Sequence, residues 1–147
     1  MYGPWVHPVD KLSSLNTSIQ AHRDMVLGIK TTSLAALRAS SWVNVRDLVL
    51  AHVEAAYIRP GTSNKRFIVC SSEKSSFQQE AGIIKEAFPE WAQGLVFPPS
   101  DPPRPITLNG SPLTTELGIK YTSLRDCMVA LAKQLHDQAV REGLLTP

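Results

Sequence analysis

Lys65-Arg66-Phe67-Ile68-Val69-Cys70-Ser71 is the stretch on which the reading of the fold turns. Four consecutive apolar residues bounded by polar turns carry the signature of a strand covered on both faces. Just beyond it, Ser75-x-x-Gln78 forms a capping-box pattern. Phe77, Ala81, Ile84 and Phe88 then follow as successive turns of one helix face, and Pro89 ends the run. A strand followed directly by a helix is an α/β unit, so an α/β chain is predicted.

Upstream, Pro60-Gly61 breaks a helix predicted over residues 46–57. Its apolar stripe is Val45, Leu48, Val49, His52, Ala55 and Ala56, and Asn44 with Asp47 supplies an N-terminal capping pair. A short apolar segment at 42–45 leads into it. Further back, Ile19, His22, Met25 and Val26 recur at helical spacing from Ser18, and Gly28 is placed to close that helix in the left-handed conformation. Residues 1–15, with Gly3, Pro4 and Pro8, have loop chemistry. Downstream, residues 97–112 hold six prolines and read as an extended connector. Ser123-x-x-Asp126 then caps a last helix whose stripe is Leu124, Met128, Leu131 and Leu135.

Composition narrows the function classes. Fifteen basic against thirteen acidic residues leave a formal charge of +2, too small and too dispersed for a nucleic-acid or lipid-headgroup surface. Cys70 and Cys127 lie far apart without a C-x-x-C and read as small core residues. His7, His22, His52 and His136 show no H-x-x-x-H spacing, so no metal site is expected, and a hydrogen-bonded structural histidine is the simpler reading of each. No two glycines approach G-x-G-x-x-G, and neither G-K-[ST] nor G-x-S-x-G occurs. The first residues lack a basic and an apolar leader region, and no run approaches the ~18 apolar residues of a membrane span, so a soluble, cytoplasmic protein is expected. Residue chemistry alone leaves the activity open.

Three separated stretches, in order, carry a resemblance. Tyr2-Gly3-Pro4 with Leu15-Asn16-Thr17-Ser18, Trp42-Val43-Asn44-Val45-Arg46-Asp47 with Ala51-His52-Val53, and Leu117-Gly118-Ile119-Lys120-Tyr121-Thr122-Ser123-Leu124 resemble segments of the extended short-chain dehydrogenase/reductases. Within that NAD-dependent epimerase/dehydratase group, the likeness is to fungal NADPH-dependent aldehyde and ketone reductases and plant dihydroflavonol reductases, enzymes of secondary metabolism. Asn44 departs from the family's usual Asp.

The resemblance implies an α/β, partial short-chain dehydrogenase fold. It would be a single substrate-binding lobe over residues 1–147 with a few strands and about four helices, the Rossmann cofactor domain being absent. It places Tyr2, Gly3, Pro4, Asn16, Thr17 and Ser18 near NADP(H), and Met25, Trp42 and Phe97 around an apolar substrate; a bare turn, a helix cap and plain core are the competing readings. No catalytic residue is assigned, because Tyr2, Tyr57 and Tyr121 are followed four positions on by Val6, Gly61 and Arg125, so the family's Y-x-x-x-K is missing. The expectation is a truncated reductase that binds no cofactor alone and is not self-sufficient. Its partners would be a small apolar carbonyl metabolite and, by docking, an intact reductase or a second copy. The alternative is a cofactor-independent metabolite-binding protein, isomerase or cyclase that uses the old substrate cleft.

Overall fold

A computed structural model describes residues 2–29, 41–91 and 108–146. Asn16 opens the first helix, α1 (Thr17–Val26), its side chain accepting from the Ile19 N–H at 3.2 Å. Gly28, at φ 69°, closes it, with Ile29 N–H returning to the Asp24 carbonyl. Asn44 likewise caps α2 (Val45–Val53) by accepting from Arg46 N–H at 2.8 Å, and a π-helical turn, Glu54–Ile58, prolongs it. Ser76 caps α3 (Phe77–Ala87). A short α4 (Ser111–Leu117) carries Pro112 in its first turn and stops at left-handed Gly118. Ser123 caps the long α5 (Leu124–Arg141).

Helix α5 is the spine. α1 and α3 pack against it, and a 3₁₀ turn, Leu12–Ser14, rests on α1 and α5. The stripe foreseen on α5 is wholly buried: Leu124, Met128, Leu131 and Leu135 join Met25, Trp42, Ala81 and Ile84 in the main core, each large side chain contributing about 1.5–3 kcal/mol. A smaller cluster of Ala51, Leu113, Leu117 and Ile119 is covered by Phe67, Val69 and Tyr121. Asp47 joins α2 to the approach to α5, its carboxylate accepting from both the N–H and the hydroxyl of Thr122 at 2.8 Å. The opening loop is fastened to the far end of the same helix. Leu12 N–H donates to Glu142 Oε1 at 2.8 Å, and the side-chain amides of Gln134 and Gln138 donate to the Trp5 and Asp10 carbonyls.

The α/β expectation is overturned: among the described residues there are helices and one isolated parallel bridge, Tyr2 to Asn44, but no strand. Residues 65–71 have strand composition without a strand neighbour among the described residues. A strand is completed by its partner's hydrogen bonds, and here these shrink to Ser71 N–H on the Trp42 carbonyl at 2.8 Å. Nor is the segment covered on both faces, since Ile68 is 47% exposed.

Three local readings also change. The buried side of α2 is Asp47 and Ala51, while Val49 and His52 of the expected stripe face outward. Ser75 is buried, and its neighbour Ser76 makes the cap of α3. Helix α4 begins inside what read as connector; Phe97 and residues 97–107 of that connector lie outside the described residues. No helix among the described residues is long and apolar enough to cross a membrane.

Candidate functional site

The Tyr2-Gly3-Pro4 loop is held beside residues 42–45 by two backbone bonds, Tyr2 N–H to the Val43 carbonyl at 2.9 Å and Val45 N–H to the Tyr2 carbonyl at 2.8 Å. This close approach requires Gly3. Its φ is +107°, and a Cβ there would stand 3.2 Å from the Asn44 side chain. The loop, the N-terminus of α1 and the start of α2 together enclose a cavity of about 110 Å³. Tyr2, Gly3 and Asn16, which the resemblance grouped together, line its wall; Trp5, Val6, His7, Ile19 and Val45 complete it.

The other expected residues lie elsewhere. Pro4 is buried but does not line the cavity, and Thr17 and Ser18 stand on the first turn of α1, where the Ser18 hydroxyl donates to Asn16 Oδ1 at 2.9 Å. Met25 is fully buried in the main core. Trp42 is buried too, donating from Nε1 to the Glu73 carbonyl at 2.8 Å and stacked on Tyr2 with centroids 6.3 Å apart.

Behind the Tyr2 ring is a polar cluster that the sequence reading did not single out as a unit. His22 meets Tyr2 edge-on at 4.8 Å and tilts against Phe77 at 5.4 Å. Its Nε2 lies 3.0 Å from Glu80 Oε2 and its Nδ1 3.2 Å from the Ser18 carbonyl, with both side chains of the pair fully buried. Both ring nitrogens therefore face oxygen atoms. The arrangement is satisfied when the ring carries two protons, or when one proton of the pair sits on Glu80. Glu80 Oε1 has no hydrogen-bond partner among the described residues. His22 was legible as a core histidine from the α1 stripe, but nothing in the spacing tied it to Glu80, 58 residues away.

Burial favours the neutral forms of Tyr2 and Cys127 in this interior. Burial, reinforced by the Glu80 carboxylate, holds the Tyr2 phenol well above its ordinary range. Burial also pushes the Cys127 thiol up to about 12 from an ordinary 9.0, the Asn44 side chain offsetting part of the effect. Below pH 9 both the folded and unfolded thiols are protonated and the shift has no effect. Above it the unfolded thiol ionises while the folded one does not, so stability is lost as pH rises from about 9 toward 12. The slope approaches about 1.4 kcal/mol per pH unit for each such group. Urea unfolding at pH 8, 9.5 and 10.5 should show this decline, and Cys127→Ala should flatten part of it; a midpoint unchanged to pH 10.5 would refute the assignment.

No protein-family model matches the chain. Over 145 residues, 95% of its length, it is 30% identical to a ketoreductase of Aspergillus niger, of which it covers 42%. Over 141 residues it is 31% identical to a protein of Schizosaccharomyces pombe named as an uncharacterized oxidoreductase, of which it covers 40%. The chain thus spans about two fifths of the length of the curated relatives it matches, and its relationship is reductase-like.

NADP(H), which the resemblance implies, does not fit these residues by themselves. The 147 residues contain no glycine-rich turn to receive a pyrophosphate. Asn16 Oδ1 accepts from Ile19 N–H and the Ser18 hydroxyl in capping α1, so these two donors are already engaged.

Proposed function

We propose that this chain is the substrate-side part of a cytosolic, NADPH-dependent reductase of small ketones or aldehydes in secondary metabolism. The cofactor and the proton donor would come from polypeptide beyond the matched region. The cavity carries the reading. At about 110 Å³ it is well below the roughly 300–1,000 Å³ of a complete small-molecule site, so it resembles one wall of a pocket that a second body closes.

Two assays test the reading. The purified chain with NADPH and a panel of aliphatic and aromatic carbonyls should oxidise no NADPH above background. Exchanged for the matched 145 residues of the Aspergillus niger ketoreductase, it should support ketone reduction. In that chimera Val6→Trp, placed on the cavity wall at an exposed position, should raise KM about tenfold with a smaller change in kcat, as loss of uniform substrate binding does. Turnover by the chain alone, or a folded but inactive chimera, would overturn the reading.

A further inference from the structure

We infer that the groove between the opening loop and the C-terminal end of α5 is a carboxylate site built on Arg141, and that the substrates of the proposed reductase are accordingly oxo acids, held by the acid group in this groove and by the carbonyl end in the adjoining cavity. The substrate class rests on the reductase reading. The carboxylate site itself rests on geometry.

The groove, of about 630 Å³, is the neighbour of the Tyr2–Asn16 cavity, for Trp5, Val6 and His7 line both. On the α5 side it is walled by Gln134, Gln138 and Arg141. Gln138 is buried, and its amide is fully committed. Its Nε2 donates to the Asp10 carbonyl at 3.3 Å and to Glu142 Oε1 at 2.8 Å, while its Oε1 accepts from Arg141 Nε at 3.1 Å and from Arg141 Nη2. These partners fix which way the amide points, since only its oxygen can receive a guanidinium.

Arg141 is exposed, yet it is gripped along its Nε edge by that buried amide. The entropy cost that weakens most surface arginine contacts is thereby met before any ligand arrives. Its Nη1 donors and the second Nη2 donor have no partner among the described residues. They form the end-on fork that binds a carboxylate through two parallel hydrogen bonds. The contrast with other arginines is informative: Arg23, Arg59 and Arg125 each donate to a carboxylate, of Asp24, Glu54 and Glu86. Arg141 is oriented by a neutral group instead, so its charge is left for something else to meet.

Charge and lining select the ligand. A single guanidinium, with the exposed Asp10 on the same groove wall, suits a monoanion and disfavours a phosphate dianion. The apolar and aromatic residues shared with the cavity, Trp5 and Val6, suit a hydrocarbon spacer between the acid group and the carbonyl. His7, on the same shared wall, adds a ring N–H donor.

Two measurements test the site, with 4-oxopentanoate, 5-oxohexanoate and 6-oxoheptanoate as probes and their methyl esters as uncharged controls. In the chain alone, 5-oxohexanoate should shift the Arg141 Nε–H resonance in a saturable way and its ester should not. In the chimera with the Aspergillus niger ketoreductase, at least one acid should have a KM about tenfold below that of its ester, the scale of a charge-assisted hydrogen bond. Arg141→Gln should raise the acid-to-ester KM ratio about tenfold with a smaller change in kcat, and Arg141→Lys should recover part of the loss. Asp10→Asn, at an exposed position, should lower the KM of the acids roughly twofold by removing a like charge. No saturable shift with the acid would overturn the carboxylate site, as would an equal shift with the ester. A chimera that reduces acids and esters alike, or whose acid-to-ester ratio ignores Arg141→Gln, would overturn the oxo-acid assignment while leaving the reductase reading standing. A saturable, acid-specific shift in a chain whose chimera reduces no ketone would support the carboxylate site and refute the reductase reading.

Discussion

His22→Ala should destabilise the chain by about 3–5 kcal/mol, the cost of leaving a buried carboxyl group without its partner together with the cavity left by the ring. Glu80 would lose its only described partner while staying fully buried, with Oε1 already unpaired. The ring fills space against Tyr2 and Phe77, so its loss opens that cavity. Against a typical total stability of about 5–15 kcal/mol, such a variant would be unfolded or nearly so at 37 °C. The pair is not irreplaceable. His22→Leu combined with Glu80→Leu removes the buried polar groups together and should recover most of the loss, because apolar residues of similar volume often substitute for a buried pair at no net cost. Urea titrations of the single and double variants decide the matter; a single His22→Ala within 1 kcal/mol of the parent would show that the pair contributes little.

Gly110→Ala should cost about 3 kcal/mol, at the upper end for overpacking. A methyl group there would lie 1.9 Å from the Cys70 carbonyl oxygen and 2.8 Å from the Tyr121 hydroxyl. Neither can yield cheaply. The Tyr121 hydroxyl donates to the Gly110 carbonyl at 3.1 Å and accepts from Cys70 N–H, joining the start of α4 to residues 70–71. Separating these chains would free the segment that carries Ile68, so amides 70 and 71 should lose protection along with global stability. Gly82→Ala, in the middle of α3 with nothing within 4 Å of the added carbon, is the control. It should stabilise by about 0.5–1 kcal/mol through helix propensity, and equal effects at the two glycines would contradict the close approach.

Helical periodicity and caps were the most legible features. The α5 stripe, the Asn44 cap and the Gly28 terminator could be read from spacing because each depends on residues within a few positions of one another. The α2 face was misread because periodicity selects the larger apolar side. The core side instead holds small Ala51 and an Asp47 satisfied by Thr122, 75 positions away. Residues 65–71 show the opposite limit: composition records what a segment is suited to pair with, whereas a strand exists only where a neighbour lies alongside. Helix α4 carried local signals in Pro112 and Gly118, but the prolines before it obscured them. Of the candidate site, the Tyr2-Gly3 loop and Asn16 came from the resemblance; Trp5, Val6, His7, Ile19 and Val45 joined them only through the packing of the opening loop on α1 and α2.

The fastening of the opening loop to the end of α5 bears on how the chain folds during synthesis. Leu12 and Glu142 are 130 positions apart, and Trp5 with Gln134 and Asp10 with Gln138 nearly as far. Contacts of such separation slow folding, since closing the long loop comes before its reward. At roughly 5–20 residues per second of translation, α1 and α3 would leave the ribosome several seconds before the α5 surface on which they pack. During that interval their apolar faces would be open to chaperones. A nascent chain stalled before residue 124 should therefore remain protease-sensitive throughout, and acquire resistance in a single late step.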